Sequence, residues 1–208
     1  MDYFVSTVIF TGIALIGVLG VYLITGLTGL FSLGQAAFMA IGGYVSAVLI
    51  RNYSVPVVPA VALAIAAAML AALLVGLPTV RLRRDYISLV TLGFGEAIVA
   101  LLNNSANITG GAMGISGIPQ LTTLPVVLVS VVVCLGLVIL YKNSKYGRQC
   151  LALRSDELAA KSMGINVYRL KLITFLFAGA LTGYSGVLFG FYTTYLEPAA
   201  FNWIISAE

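Results

Sequence analysis

Glu96 is the one carboxylate that falls inside a long apolar stretch of this sequence. A charge at the centre of a bilayer costs about 2.5–3.5 kcal/mol on insertion scales, so such a group is expected to face protein or water, where it can orient a substrate ammonium or a polar network. A second candidate is the glycine-broken stretch 26–44, GLTGLFSLGQAAFMAIGGY, which carries Gly29, Ser32 and Gln35. Broken helices expose backbone amides and carbonyls where a cavity can use them. With Glu96 and Asn103, these three form the set expected to line a pathway. A third is the polar segment 142–171, in which residues 154–163 are expected to form one short amphipathic helix. Ser155 would be its N-cap, with Asp156 and Glu157 in its first turn and Gly164 as its stop. Such a helix is a lever that a soluble partner can push. Gly179, Gly183, Gly186 and Gly190, spaced four, three and four, mark one face of a helix built for close packing.

Other chemistries are poorly supported. The chain has no histidine, which removes the commonest general base and the commonest nitrogen metal ligand. Its carboxylates form no catalytic pair, and no serine or cysteine has an activating neighbour. Cys134 and Cys150 have neither metal nor redox spacing. The glycine-rich stretch near residue 110 lacks the Gly-Lys-Ser/Thr ending of a nucleotide cradle. No enzyme, no metal and no nucleic-acid partner is expected.

The elements that must position these residues follow from where charge is missing. The chain has 208 residues, 61% of them hydrophobic and 9% charged, and stretches 3–50, 52–80, 97–141 and 172–196 carry no charge. About 20 apolar residues cross a bilayer as a helix. Backbone groups inside lipid must bond internally, and the runs are too continuous for a barrel. The reading is an all-α polytopic membrane protein, one domain over 1–208. It has about six spans, at 4–24, 33–50, 58–77, 86–102, 126–141 and 172–192, with interrupted helices. Pro78 is expected to end the third span, and 103–125 to be a loop, partly re-entrant. From 197 a further membrane element is expected to begin.

Segment 142–171 holds seven basic residues, and Arg81, Arg83 and Arg84 form the other basic cluster. Two spans separate them, so both fit the cytoplasmic side, with Arg51 the lone exception outside. The net charge of +4 thus reports loop topology. Tyr141 and Tyr146 are expected to anchor the inner interface, and Tyr192, Tyr195 and Trp203 the outer one. The start, Met-Asp-Tyr, lacks the basic flank of a cleaved secretory signal.

Segment 144–171 resembles the coupling loop of ABC importer permeases: Glu157-Leu158-Ala159-Ala160, then Gly164. More narrowly it resembles the permeases of leucine-isoleucine-valine uptake. The residues are Ser144, Tyr146, Gly147 and Arg148, then Ala152 and Arg154, then Gly164–Val167 and Lys171. Stretches 26–44, 90–96 and 109–119 resemble the same family, with Gln35 standing where many relatives carry His. The resemblance implies a permease subunit of a prokaryotic inner or cell membrane. It would pair with a second, homologous permease, two cytoplasmic ATP-binding subunits and an extracytoplasmic substrate-binding protein. ATP would be used by those partners, and this chain would bind no cofactor. The cargo would be branched-chain amino acids or similar small solutes such as urea or amides. Arg154, Glu157, Ala160 and Gly164 are expected at the ATPase interface. Relatives are usually longer, so a fragment or short variant is expected. The competing classes are an ion-gradient-driven transporter or channel, which would need no ATPase, and a membrane scaffold that transports nothing.

Overall fold

The computed structural model describes residues 2–80, 82 and 84–201. Arg81, Arg83 and Trp203 lie outside them. Helix α1 (Asp2–Val21) runs without a break into a π-helical segment, Tyr22–Thr28. Then come α2 (Gln35–Tyr53), α3 (Val57–Thr79), α4 (Arg84–Asn104) and the short α5 (Ala106–Thr109). Strand β1 (Ile115–Ser116) precedes α6 (Leu124–Asn143), α7 (Lys145–Ser155), α8 (Glu157–Ser162), α9 (Val167–Thr193) and β2 (Tyr195–Leu196).

Five of these helices are long and apolar enough to cross a membrane: Tyr3–Thr28, Val57–Thr79, Tyr86–Asn104, Leu124–Asn143 and Val167–Thr193. They match five of the six expected spans. The sixth, α2, has 19 residues but includes Gln35, Ser46, Arg51 and Asn52. Gln35 and Ser46 are buried where it is wedged between α3, α4 and α9, and Arg51 and Asn52 lie exposed in its last turn. The architecture is all-α, with the helices of a multi-pass membrane protein.

The centre of the bundle is α9, packed against α1, α2 and α3. Its glycines do what their spacing implied. A Cβ at Gly179 would sit 2.6 Å from Ala72 Cβ, one at Gly183 would collide with Ala68, and one at Gly186 with the Met39 carbonyl. They therefore serve α3 and α2 in turn, and Gly190 accommodates Leu196. Helices approach this closely only where no side chain intervenes.

Some expected boundaries moved. Pro78 lies inside the last turn of α3 instead of ending it, and Thr79 Oγ1 donates back to the Val75 carbonyl at 2.7 Å. Loop 103–125 contains β1, which pairs antiparallel with β2 (Ile115↔Leu196, Ser116↔Tyr195). Stretch 198–201 is a 3₁₀ turn whose Phe201 packs against Tyr44 and Phe189, and the rest of the element expected from 197 lies outside the described residues. The bundle thus has a strand end, with β1 and β2, and a basic end, with α7 and α8.

Candidate functional site

The π-helical segment ends at Gly29, whose φ of +69° suits glycine and whose N–H donates to the Ile24 carbonyl. The chain from there to Gly34 is not helical, yet Leu30, Ser32 and Gly34 are buried. Leu33 N–H donates to Thr91 Oγ1 of α4 at 3.1 Å. Irregular backbone survives inside a membrane protein only where protein or a cavity surrounds it. Helix α2 then starts at Gln35, whose Oε1 accepts from Thr182 Oγ1 at 2.8 Å. Thr182 is the middle of α9, so α2 begins near mid-depth of the bundle and not at its edge.

At that point lies a cavity of about 520 Å³ between α1, α2 and α9. It follows α1 from Phe10 to Thr25, roughly 22 Å at 1.5 Å per residue. The strand end is aromatic, with Phe10, Phe189 and Phe201. Gln35, Thr25, Thr182 and Ser185 supply its polar atoms, and none of the described residues lining it is charged. Among the described residues three buried side-chain atoms lack a hydrogen-bond partner: Thr25 Oγ1, Ser32 Oγ and Gln35 Nε2. All three fall within eleven residues, and two of them line the groove. Buried polar groups are nearly always bonded, so water or another polar group is expected beside them.

Two of the expected pathway residues are elsewhere. Glu96 and Asn103 are exposed on α4. The buried or packed side of that helix is Ile87, Thr91, Phe94, Ile98 and Leu102, a stripe at spacings of three and four that leaves Glu96 on the opposite face. Gly29 packs under Arg154, with a built Cβ 3.0 Å from Arg154 Cγ. Ser32 is 2% exposed beside the groove helix α2, and Gln35 alone of the expected set lines the groove. The sequence reading missed Thr25, Thr182 and Ser185, whose hydroxyls look like routine back-bonding to the preceding turn.

The lever at the basic end also differs in detail. The single helix expected over 154–163 is divided: Arg154 and Ser155 end α7, and α8 covers Glu157–Ser162. Ser144 Oγ caps α7, accepting from Gly147 N–H at 3.3 Å. The cap of α8 is Asp156, not Ser155: its Oδ1 accepts from Leu158 N–H at 2.7 Å and Ala159 N–H at 3.1 Å. Gly164, with φ +78°, turns the chain towards α9.

Of the four residues expected at the ATPase interface, Arg154 and Gly164 are exposed, Glu157 is half-buried and only Ala160 is buried. Arg154 Nη1 donates to the Gly26 carbonyl of the π-helical segment at 2.6 Å. Glu157 Oε2 lies 2.9 Å from Lys171 Nζ, in a side chain only 1% exposed, and Oε1 lies 3.1 Å from Lys161 Nζ. Beside them Leu158 and Met163 are 75% and 83% exposed. The buried lysine in the first turns of α9 draws the Glu157 carboxylate to itself.

Partial burial alone would raise the Glu157 carboxyl, but hydrogen bonds and charge from Lys171 and Lys161 outweigh it and hold it below the usual range. A group depressed on folding stabilises the fold above its unfolded pKa, near 4.3 for Glu, and loses that contribution as pH falls through the folded value. The α8–α9 junction should therefore stay closed at neutral pH and open only below about pH 4. Pepsin cleavage near Leu158, followed from pH 5 downward, should rise in that window. In Glu157→Gln it should be fast throughout.

The sequence matches the family described as "Branched-chain amino acid transport system / permease component" over residues 3–207. It is 34% identical to the high-affinity branched-chain amino acid transport system permease protein LivM of Escherichia coli K12, over 91% of this chain and 52% of the relative. A probable LivM of Methanocaldococcus jannaschii is 28% identical over 61% of the chain and 39% of its own length. LivH of Salmonella typhimurium is 31% identical over 55% and 37%. The chain thus spans about half the length of that Escherichia coli LivM protein. No solved structure gives a significant match. With its multi-pass helices and a match along nearly its whole length, the chain belongs to the branched-chain amino acid transport permease family.

Proposed function

We propose that this chain is a membrane-spanning subunit of an ATP-driven importer of branched-chain amino acids. In this reading α1, α2 and α9 form part of the pathway, and α7 and α8 carry force to them from cytoplasmic ATPases that use the ATP. The observation that carries it is the double bracing of the basic end. Arg154 holds the π-helical end of α1, and Glu157 holds the start of α9. A push on α7 and α8 would therefore reach two of the three helices that line the groove. A conformational switch needs such a contact to differ between two states. The π-helical segment, a conformation often found at functional positions, is the element most able to change register.

The basic end is read as cytoplasmic from its lysines and arginines. The relatives named LivM and LivH suggest a pair of homologous permeases. Glu96 supports a second chain as well: an exposed carboxylate on a spanning helix needs a protein or water neighbour. A separate extracytoplasmic protein would bind and deliver the cargo. Urea and amides are a less favoured cargo, because the groove is largely apolar and matches aliphatic side chains.

Uptake of labelled leucine into proteoliposomes holding the assembled transporter tests the proposal. Uptake should follow ATP and ignore ion gradients; dependence on a gradient without ATP would favour a secondary transporter and sink this reading. In the same assay Leu158→Asp with Met163→Asp should cut ATP-driven uptake at least tenfold, since a desolvated apolar contact tolerates no charge. The helices should still insert.

A further inference from the structure

We infer that Gly17, halfway along the groove, sets its width and so limits the aliphatic side chain that a solute can carry past mid-depth. This rests on the transport reading above and names the position that selects the cargo by size. Helix α1 and its π-helical end contain four glycines, Gly12, Gly17, Gly20 and Gly26. Glycine is disfavoured inside a helix relative to alanine, so each needs a reason. Three have one in packing. A Cβ at Gly12 would collide with the Val127 side chain of α6, one at Gly20 with Thr182 Oγ1 of α9, and one at Gly26 with the Tyr22 ring. Gly17 is different. Among the described residues its added Cβ would meet only Ser185, with Oγ at 3.4 Å and Cβ at 4.0 Å, which is ordinary van der Waals contact. Packing therefore tolerates alanine here. What the missing side chain leaves open is the groove, which Gly17 lines.

The wall opposite is fixed. Ser185 is fully buried and its Oγ donates to the Ile13 carbonyl of α1 at 2.8 Å, so it cannot swing aside without losing that bond. A side chain longer than a methyl at position 17 is closed off by Ser185 on the α9 side and must extend into the groove. Two other lining residues, Ala14 of α1 and Ala36 of α2, are also small. Towards the strand end the rings of Phe10 and Phe201 each lie edge-on to Phe189, with centroids 6.3 and 5.9 Å apart, and brace one another. None of the described lining residues is charged, so this stretch selects by shape.

The test uses the assembled transporter in proteoliposomes, given labelled leucine or labelled valine, which differ by one methylene. The preference of any extracytoplasmic binding protein is the same for every variant. It cancels when a variant's leucine-to-valine uptake ratio is divided by the parent's. Gly17→Ala should melt at or above the parent temperature, because helix propensity rises and packing accepts the methyl. Its leucine-to-valine ratio should fall about fivefold or more, since one methylene in a close-fitting apolar site carries about tenfold or more of discrimination. Gly17→Leu should fold and transport neither. Gly20→Ala is the packing control: it should melt lower and reduce both uptakes alike.

Gly17→Cys adds a readout besides selectivity. A small methanethiosulfonate should label it above the background of the buried Cys134 and Cys150, and the labelled protein should lose uptake of both solutes. An unchanged leucine-to-valine ratio in Gly17→Ala, a melt of that variant below the parent's, or a Gly17→Cys that resists the reagent would each overturn the inference. Lack of ATP-driven uptake in the parent would instead sink the transport reading, while labelling and melts still report on position 17.

Discussion

Replacing Glu157 by Ala should destabilise the α8–α9 junction by about 3 kcal/mol or more and uncouple ATP hydrolysis from uptake. The reason is an asymmetry between the partners. Lys171 is almost wholly enclosed, whereas Glu157 remains partly exposed and keeps Lys161 as a second cation. Removing the carboxylate strands a buried ammonium, and breaking a buried pair from one side costs far more than the pair contributed. Lys171→Met should cost much less, because methionine fills the same volume and Glu157 retains Lys161 and water. The double variant Glu157→Leu with Lys171→Met should recover most of the stability lost in Glu157→Ala. It should not recover coupling, because the directional tie between α8 and α9 would be replaced by apolar packing. Denaturant melts in mixed micelles give the stabilities, and the ratio of leucine moved to ATP hydrolysed gives the coupling. Equal costs for the two single changes would show that Lys171 is not enclosed as described.

The spans were legible because charge is so costly in lipid that its absence over some 20 residues has few other meanings. What could not be read was depth. Gly26, Gly29 and Gly34 announce a break, but only the Leu33–Thr91 and Gln35–Thr182 hydrogen bonds place the start of α2 halfway through the bundle. Those bonds join residues far apart in sequence, and no local pattern encodes them. Glu96 shows a different limit of a single sequence. An intramembrane carboxylate is expected to face protein or water, and the stripe through Ile87, Thr91, Phe94, Ile98 and Leu102 puts Glu96 on the side of α4 that this chain leaves uncovered. The rule concerns the assembled protein, and the stripe concerns this chain.

At the basic end the residues were found but the direction of Glu157 was not. A carboxylate two residues from an N-cap normally faces solvent. Only the enclosed Lys171, fourteen residues further on, turns Glu157 inward. Ser155 and Asp156 are both good N-caps by type. The choice fell to Asp156 because α7 continues through Ser155, whose hydroxyl bonds back to Leu151 instead.

Gly186→Ala should prevent the bundle from assembling, with a loss of at least about 3 kcal/mol, beyond the usual range for a single added methyl. The added carbon would meet the Met39 carbonyl oxygen of α2, with the Met39 carbonyl carbon at 2.7 Å and its Cα at 3.0 Å. A side chain can rotate away, but here the obstacle is helical backbone, so α2 must leave α9. That movement would also pull Gln35 from Thr182 and open the groove. Gly42 faces the Gly183 carbonyl in the same way, so Gly42→Ala should behave alike. Gly136 is the control. It lies on α6 with nothing within 4 Å of an added Cβ, so Gly136→Ala should be neutral or raise stability by up to about 1 kcal/mol through helix propensity. Thermal melts and trypsin resistance in detergent would rank the three. If Gly186→Ala melts like Gly136→Ala, α2 and α9 do not meet as closely as described, and the groove between them loses its wall.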